Sequence, residues 1–518
     1  MTKIPPPQEI SAEQEENERR RMRIIVGVIL GSFLAALDTT ILATAMPTIV
    51  GELGGLSMYS WVFSVYMIMT AVSMPVWGKL ADTVGKRSVF FVAVGLFLTG
   101  SVLCGFSTSM LHLIVFRGFQ GVGAGGRASV PFALISTVFP VHQRGKALGL
   151  LASAWGISSV IGPLIGSFLV LQLNWRWVFF VNLPLGVASL MVVASSYHES
   201  GVHRRERIDY AGAVMLCLAI LSLMVVFLRT GKGGGWVDPD VAGAGVLFLV
   251  CLLLFVRHER RVEHPVLELR FFRRRAFWLG NLLGFMASFA IYGVIAYVPL
   301  FAQTSAGGTP VQAGIVITSM SLSWSSASVL AGRQVYRVGE KSLILVGMLL
   351  MSAGFFMILV SPSAAPLSYL SLCVVVIGLG MGCQTPSLML SVQHSLDPAN
   401  VGVATSSQML ARTIGGALGV SVMGSAVAGR MLSRFTELAS AGLLAGLPLE
   451  AQAHMAAPQE LLSAKMRGMM SQGDLRLVLE TFSLAVHEAF AIGLGVVLLG
   501  ALATAFLPRS TLHNVGTK

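Results

Sequence analysis

The chain alternates long apolar segments with shorter polar stretches, and this alternation limits what it can fold into. A helix needs about 20 apolar residues to cross the roughly 30 Å hydrocarbon core of a bilayer. Segments of this length recur along the sequence, where 54% of the 518 residues are hydrophobic and only 12% are charged. This composition lies outside the range of soluble globular proteins. We therefore predict an all-α membrane protein.

The hydropathy pattern predicts fourteen membrane-spanning helices. The spans are 24–50, 59–80, 88–107, 111–134, 146–171, 175–196, 209–229, 240–256, 277–302, 311–333, 342–361, 366–391, 401–429 and 485–507. An even number of spans places both termini on one side, and most of the 36 Lys and Arg lie in tails and loops on that side. By the positive-inside rule both termini are cytoplasmic. We expect a multi-pass protein of a bacterial inner or plasma membrane.

Two internal sequence repeats indicate that the chain contains two related halves. The Gly-led basic turn 78–88 after span 2 resembles the turn 332–342 after span 10. Residues 161–166 in span 5 are echoed by 414–419 in span 13 at nearly the same separation. Parallel repeats of this kind are typical of transporters with alternating access.

The repeat predicts the domain organisation. We expect a cytoplasmic tail (1–23), an N-terminal six-helix bundle (24–196), two additional spans with a cytoplasmic linker (197–276), a C-terminal six-helix bundle (277–508) and a cytoplasmic tail (509–518). An extracytoplasmic excursion at 430–484 interrupts the second bundle. Its amphipathic segments would form a lid, guide a lipid-like substrate, or dock a periplasmic or outer-leaflet partner.

Asp38 is the acidic residue that we place deep inside a predicted span. A carboxylate there costs about 2.5–3.5 kcal/mol on insertion scales, and such residues usually mark proton, cation or ligand sites. Burial favours the protonated form, whereas a cationic substrate or a nearby Arg favours the ionised form. Proton and substrate would then compete for one group. The alternative is a carboxylate buried against an Arg for packing alone.

Three arginines lie within predicted spans. We expect Arg117 in span 4 to pair with Asp38, with Gln120 one turn further on the same face; the alternative is that Arg117 snorkels to the interface. For Arg127, cavity lining, contact with a substrate phosphate and a local backbone contact all remain open. Arg412 in span 13 would project toward the cavity or toward the cytoplasmic gate.

A gate motif is predicted at the cytoplasmic end of span 2, formed by Gly78, Asp82, Gly85, Lys86 and Arg87. The Asp82 carboxylate would dock on the N-terminal dipole of a facing helix and pair with Arg87 while the cytoplasmic side is shut. The positive-inside rule alone explains the basic residues but not the acid. Tyr336 replaces Asp82 in the second copy, so this latch is one-sided.

Small residues predict close helix contacts in spans 4 and 5. The glycines of 121–126 match a dinucleotide-binding spacing, but they lie in an apolar helix, follow no strand and lack a later acid, which excludes that reading. In span 5 we expect an antiporter helix motif to contact the other half and to act as its pivot, with ordinary packing as the alternative. Its residues are Gly156, Gly162, Pro163 and Gly166.

Further residues of the spans are candidates for lining a substrate cavity, although most side chains of these types face lipid or core. These candidates are Thr40, Gln120, Arg127, Tyr292, Met320, Trp324, Gln384 and Arg412.

Four motifs, in their usual order, resemble the signatures of the fourteen-span drug:proton antiporter family of the major facilitator superfamily. They are 37–49, 78–88, 117–126 and 156–166. The resemblance covers nearly the whole chain. It departs at Ala43, Thr83 and Arg127, where the family often has Asn, a basic residue and an apolar residue. It implies two six-helix bundles plus two extra helices, with spans 1 and 4 lining a central cavity between the halves.

We expect proton-coupled efflux of lipophilic or cationic drugs and toxic amphipathic compounds by alternating access. Export of a lipid or an endogenous metabolite is the alternative, and a non-transporting membrane sensor is a third reading. The expected partners are small amphipathic substrates and the bilayer, with no nucleic acid, no metal and no cofactor other than the proton. No nucleophile elbow, metal cluster or phosphate loop indicates an enzyme.

Overall fold

The structure is a computed structural model. It describes residues 7–53, 59–197, 209–230, 238–263, 265, 269–304, 310–361, 366–440 and 471–508. Throughout these ranges the regular structure is helical, and none of the described residues forms a strand. The all-α prediction is confirmed for this part of the chain.

The first helices form a bundle around shared apolar clusters. They are α1 (Pro7–Leu53), α2 (Tyr59–Thr83), α3 (Lys86–Gly105), α4 (Met110–Val138), α5 (Val141–Gln172), α6 (Trp177–Phe180) and α7 (Asn182–Ser196). α1 starts well before predicted span 1, because its polar N-terminal part continues the same helix. Predicted span 6 is divided at Val181 into α6 and α7. Phe90, Phe97 and Phe179 are fully buried in this bundle.

A second bundle follows the same plan. It contains α10 (Arg275–Thr304), α11 (Pro310–Val338), α12 (Glu340–Leu359), α13 (Leu367–His394), α14 (Val401–Ser440) and α15 (Gln472–Ala505), with short 3-10 turns at Leu269–Arg273 and Pro398–Asn400. Phe301, Phe355 and Phe490 are fully buried in its core.

α14 and α15 extend beyond predicted spans 13 and 14 into the 430–484 excursion. Phe435 and Phe482 are fully buried there, and Arg430 pairs with Glu488 at 3.3 Å. The outer segments are therefore continuous with the long helices. The middle of the excursion, 441–470, lies outside the described residues, and its role stays a prediction.

The two additional helices, α8 (Tyr210–Thr230) and α9 (Pro239–Glu259), pack against each other. Asp209 caps α8 through the Gly212 amide and also bonds to His258 of α9, both at 2.9 Å. α8 contacts both α2 and α14, and Leu216 of α8 belongs to an apolar cluster that also includes Val72 of α2 and Leu410 of α14. The pair therefore lies over the seam between the two bundles.

The repeated turn has the same backbone geometry in both bundles. Gly85, between α2 and α3, has φ 114°, and Gly339, between α11 and α12, has φ 89°. L side chains rarely adopt such angles, so each turn requires its glycine. The two copies predicted from the sequence thus occupy equivalent places.

The bundles meet along α5–α11 and α2–α14. Gly145 and Gly332 lie backbone to backbone, and a Cβ on either would collide with the carbonyl oxygen of the other. Further along α5, Gly149 faces the backbone of Ser328, and Gly156 faces Ser325. Gly156 thus makes the predicted contact with the other half. Gly162 and Gly166 are buried, and the side chain of Pro163 lies outside the described residues.

Eleven helices among the described residues are long and apolar enough to cross a membrane, and α8 contains a shorter apolar stretch, Ala211–Leu223. α4 and α5 are not among the eleven. α4 carries two buried arginines and many glycines, so its mean hydropathy is low for a buried helix. A multi-pass membrane protein is supported, whereas the total of fourteen spans, the sidedness and the domain limits stay predictions.

We expect Gly332→Ala to lower the thermal unfolding temperature of the purified protein in detergent. The new methyl group must separate α5 from α11, and overpacking of this kind typically costs about 1–3 kcal/mol. Gly314→Ala, on the same helix with nothing within 4 Å of its Cβ position, is the matched control and should leave the temperature unchanged or slightly higher. Equal effects of the two variants would contradict the close contact.

Candidate functional site

Asp38 lies in α1 and is 1% exposed. Its Oδ2 accepts a hydrogen bond from Arg117 Nη1 at 2.7 Å. Its Oδ1 accepts from Gln120 Nε2 at 3.0 Å and from Asn182 Nδ2 at 2.9 Å. Three donors on α4 and α7 therefore converge on one buried carboxylate.

Arg117 is fully buried, so it does not snorkel to an interface. Besides Asp38, its Nη1 bonds to Gln120 Oε1 at 2.7 Å, and its guanidinium lies 3.9 Å from the ring centroid of Tyr66. Charge-assisted hydrogen bonds of this length are the strong ones. Removing either partner would leave the other as a buried charge without its counter-charge, which is costly.

The helices are shaped to bring these side chains together. Arg117 and Gln120 are one turn apart on α4, so they share a face. Asn182 opens α7 immediately after the break at Val181, and its Nδ2 also bonds to Ser101 Oγ at 2.9 Å. The Ser101 hydroxyl donates to the Phe179 carbonyl at 2.9 Å, which ties α3 to α6 behind the site.

Sequence reasoning missed Asn182, Ser101 and Tyr66. Asn182 was visible in principle, as an amide in an apolar segment two residues before Pro184. A serine or a tyrosine in a membrane helix is too common to identify alone. The side chain of Thr40, another candidate, lies outside the described residues.

The position of Asp38 differs from the expectation that it faces a cavity between the halves. The side chains bonded to it lie on α4 and α7, and their supports lie on α2 and α3, so the cluster is inside the N-terminal bundle. The resemblance implied that spans 1 and 4 line a central cavity, but helix packing turns these faces toward each other. In this arrangement the carboxylate is sealed from water.

Arg127 is 2% exposed and contacts its own bundle. Its Nη1 donates to the Gly31 carbonyl at 3.3 Å, its Nη2 donates to Tyr66 Oη at 3.1 Å, and its guanidinium lies 4.2 Å from the Phe97 ring. Of the three readings left open, the structure shows the local backbone contact. Tyr66 thereby links Arg127 to Arg117.

Asp82 joins the two bundles at the end of α2. Its carboxylate accepts from the backbone amides of Gly402 and Val403, both at 2.9 Å, in the first turn of α14, where helical N–H groups lack internal partners. The docking predicted for this acid is thus present. We call this region the Asp82 end of the molecule. Gly78 permits it, because a Cβ there would collide with Ser406.

The ion pair of Asp82 differs from the prediction. Lys86 Nζ lies 3.5 Å from Asp82 Oδ1, whereas Arg87 Nη2 donates to the Ala194 carbonyl at 2.9 Å. Asp82 lies in the last turn of α2 and Lys86 is the first residue of α3, so their side chains meet across the Gly85 turn. A second link across this end joins Ser136 Oγ to Gln393 Oε1 at 2.6 Å.

Gln384 and Arg412 line a common small cavity in the C-terminal bundle. The other candidates from this half do not line it. Met320 is 1% exposed in the core, Tyr292 packs against Gly416, and Trp324 is partly buried against the same core. These three residues pack within the bundle.

Comparison with known proteins gives concordant results. Residues 28–420 match the model of the Major Facilitator Superfamily. The chain is 32% identical to the multidrug transporter protein MdtP of Bacillus subtilis (strain 168) over 517 residues, covering 97% of this chain and 95% of that protein. It is 29% identical to multidrug resistance protein 3 of the same organism, covering 95% and 96%. The solved structure of the proton:xylose symporter XylE shares the fold, with a TM-score of 0.62, 16% identity and coverage of 95% and 97%.

We expect Arg117→Gln to destabilise the purified protein at neutral pH. Breaking a buried ion pair leaves an uncompensated charge and typically costs about 3–5 kcal/mol. Adding Asp38→Asn to this variant should restore part of the unfolding temperature, because it removes that charge. Differential scanning fluorimetry at neutral pH measures this.

Arg176→Gln is the matched control, because Arg176 bonds to Glu52 at the same distance of 2.7 Å on the surface. The Arg176 hydrogen bond lowers the pKa of Glu52 from 4.5. That pair therefore stabilises the fold above the ordinary carboxyl range and loses its effect only as the pH falls through the lowered pKa. At neutral pH the control should therefore show only a small difference. A large loss in Arg117→Gln that Asp38→Asn does not relieve would contradict a charged pair.

Proposed function

Because the chain belongs to the Major Facilitator Superfamily, we propose that it exports lipophilic or cationic compounds in exchange for protons across a bacterial plasma membrane. Family membership makes it a multi-pass membrane transporter and not an enzyme. Relatives named as a multidrug transporter and a multidrug resistance protein support efflux. Proton coupling and the substrate class belong to the proposal.

The buried Asp38–Arg117 pair is the observation that carries proton coupling. In the closed site the Arg117 guanidinium bonds to the Asp38 carboxylate at 2.7 Å. When the bundle loosens and water enters, a proton on Asp38 ends this attraction and releases Arg117, Gln120 and Asn182 from the carboxylate. A cationic substrate stabilises the same ionised carboxylate and so favours loss of the proton. Proton and substrate thereby exclude each other.

The driving force is sufficient for useful export. One elementary charge moving down 100 mV releases about 2.3 kcal/mol, which corresponds to roughly fiftyfold accumulation. A pH gradient adds to this value. No other cofactor is needed.

The Asp82 end is proposed to be the cytoplasmic gate. The basic side chains Lys86 and Arg87 support a cytoplasmic position of this end by the positive-inside rule. Asp82 and Ser136 connect the halves there, and α5 approaches α11 closely. On this proposal the arrangement is the state closed toward the cytoplasm. Alternating access requires these contacts to open in turn.

Export of a lipid or an endogenous metabolite is a second candidate. It is favoured by the paired extensions of α14 and α15. Their buried Phe435 and Phe482 continue the apolar core beyond the predicted spans. Deletion of 441–470 discriminates between cargoes: loss of lipid transfer with drug efflux intact supports this reading. A non-transporting sensor predicts ligand binding without flux.

We expect Asp38→Asn to abolish export of tetraphenylphosphonium driven by an imposed pH gradient in proteoliposomes, because the coupling group can no longer bind and release a proton. Equilibrium exchange of labelled tetraphenylphosphonium, which needs no gradient, should persist and shows that the variant is folded. Asp240→Asn, with a 71% exposed side chain, is the control and should export like wild type. Gradient-driven export by Asp38→Asn at the wild-type rate would refute the coupling role.

We expect Asp82→Asn to shift the protein toward the form open at the Asp82 end. Hydrogen bonds to a charged group contribute about 1.5–3 kcal/mol each, so weakening the two to α14 should raise the open-to-closed ratio at least tenfold. Spin labels at the exposed positions Val84 and Val338, in a cysteine-free background, would report the distance across this end by pulsed EPR.

Asp397→Asn, near the start of α14 and with a 68% exposed side chain, is the matched control. Its distance distribution should equal that of the wild type. Identical distributions for Asp82→Asn and wild type would show that the Asp82 carboxylate does not hold this end shut.

A further inference from the structure

The cavity in the C-terminal bundle combines polar side chains that lack partners. Gln408 is 1% exposed, and neither its Oε1 nor its Nε2 has a hydrogen-bond partner among the described residues. Gln384 is fully buried, and its Oε1 is likewise unsatisfied. Both side chains line the cavity, together with Thr385 and Arg412. Native proteins rarely leave several buried amide atoms unpaired, so a cluster of them indicates an absent bonding partner.

The hydrogen-bond donors available at this cavity outnumber the available acceptors. Gln384 Nε2 is directed at two weak acceptors, Met351 Sδ at 3.1 Å and Met381 Sδ at 3.2 Å. The Thr385 hydroxyl donates a hydrogen bond to the Met381 carbonyl. The Arg412 side chain makes one long hydrogen bond, from Nε to Ser288 Oγ at 3.4 Å. Its remaining N–H groups and the Gln408 amide are therefore available to a ligand.

The charge of Arg412 is not balanced within the cavity, because no carboxylate is among the residues that line it. A cation held in a membrane interior is costly without a counter-charge. Arginine presents its donors in a planar fork that matches the two oxygens of a carboxylate or the oxygens of a phosphate. The rest of the cavity lining includes apolar residues, among them Met381 and Leu388.

We propose that Arg412 and Gln408 form a subsite for the anionic head group, carboxylate or phosphate, of an amphipathic substrate. The proposal rests on the export function proposed above and narrows its substrate class. Arg412 neutralises the head group, the Gln408 amide donates a second hydrogen bond, and the apolar wall contacts the adjoining carbon chain. Acidic amphiphiles, not only lipophilic cations, are then substrates of this chain.

Two probes that share an apolar body test this subsite. Pyrenebutyrate carries a carboxylate, and pyrenebutyl-trimethylammonium carries a fixed positive charge at the same position. Binding to the purified full-length protein in nanodiscs is followed by pyrene fluorescence, without any gradient. An alkyl phosphate is then added as a competitor of pyrenebutyrate. If it competes, the site is general for oxyanions; if it does not, the site is restricted to carboxylates. Both outcomes support the proposal.

Arg412→Gln should raise the Kd for pyrenebutyrate at least tenfold and change the Kd for the cationic probe less than twofold. Arg412→Lys should recover part of the loss, because the charge remains but the fork does not. Gln408→Leu should weaken only the anionic probe, by several-fold. Arg333→Gln, an exposed arginine on α11, is the control and should alter neither Kd.

The proposal is overturned if pyrenebutyrate does not bind the wild type, if its Kd is unaffected by Arg412→Gln, or if both probes weaken equally. Unchanged binding of the cationic probe shows that a variant is folded. Failure of the proposed anion subsite can be told apart from failure of the proposed export function, since wild-type export of tetraphenylphosphonium would continue under a pH gradient. Conversely, loss of proton coupling would leave the equilibrium Kd values unchanged.

Discussion

A buried ion pair in a medium of low polarity organises the N-terminal bundle. Neither Asp38 nor Arg117 is tolerable alone in such surroundings, and together they remain costly unless their other bonding positions are filled. Gln120 and Asn182 fill those of the carboxylate, and the Tyr66 ring covers the guanidinium. Helices α1, α2, α4 and α7 are therefore constrained by a single polar cluster.

The contacts between bundles are of a different kind. Glycines let α5 and α11 touch along their backbones, and Asp82 occupies the open amides at the start of α14. Apolar residues of the second bundle, such as Val335 and Leu390, also share a buried cluster with the first bundle. A charged site inside one bundle and a seam of close helix contacts between bundles suit the proposed movement of the halves as bodies.

Much of this could be predicted from the sequence, because a bilayer requires about 20 apolar residues per helix and penalises a lone acid. These constraints located most helices and singled out Asp38, Arg117 and Asp82. They do not say which way a helix face turns, so Asp38 was expected between the halves. They assign no cost to uncharged polar residues, so Asn182 and Gln408 were missed. Nor do they give the backbone path through the Gly85 turn, which brings Lys86 and not Arg87 beside Asp82.

The additional helices α8 and α9 rest across the seam, because α8 contacts α2 of one bundle and α14 of the other. On the proposed mechanism the halves part in turn, and α8 cannot keep both contacts while they do. Its apolar patch then slides along one of its supports, exchanging one apolar surface for another. In this role the added pair is a sliding seal along the joint between the halves.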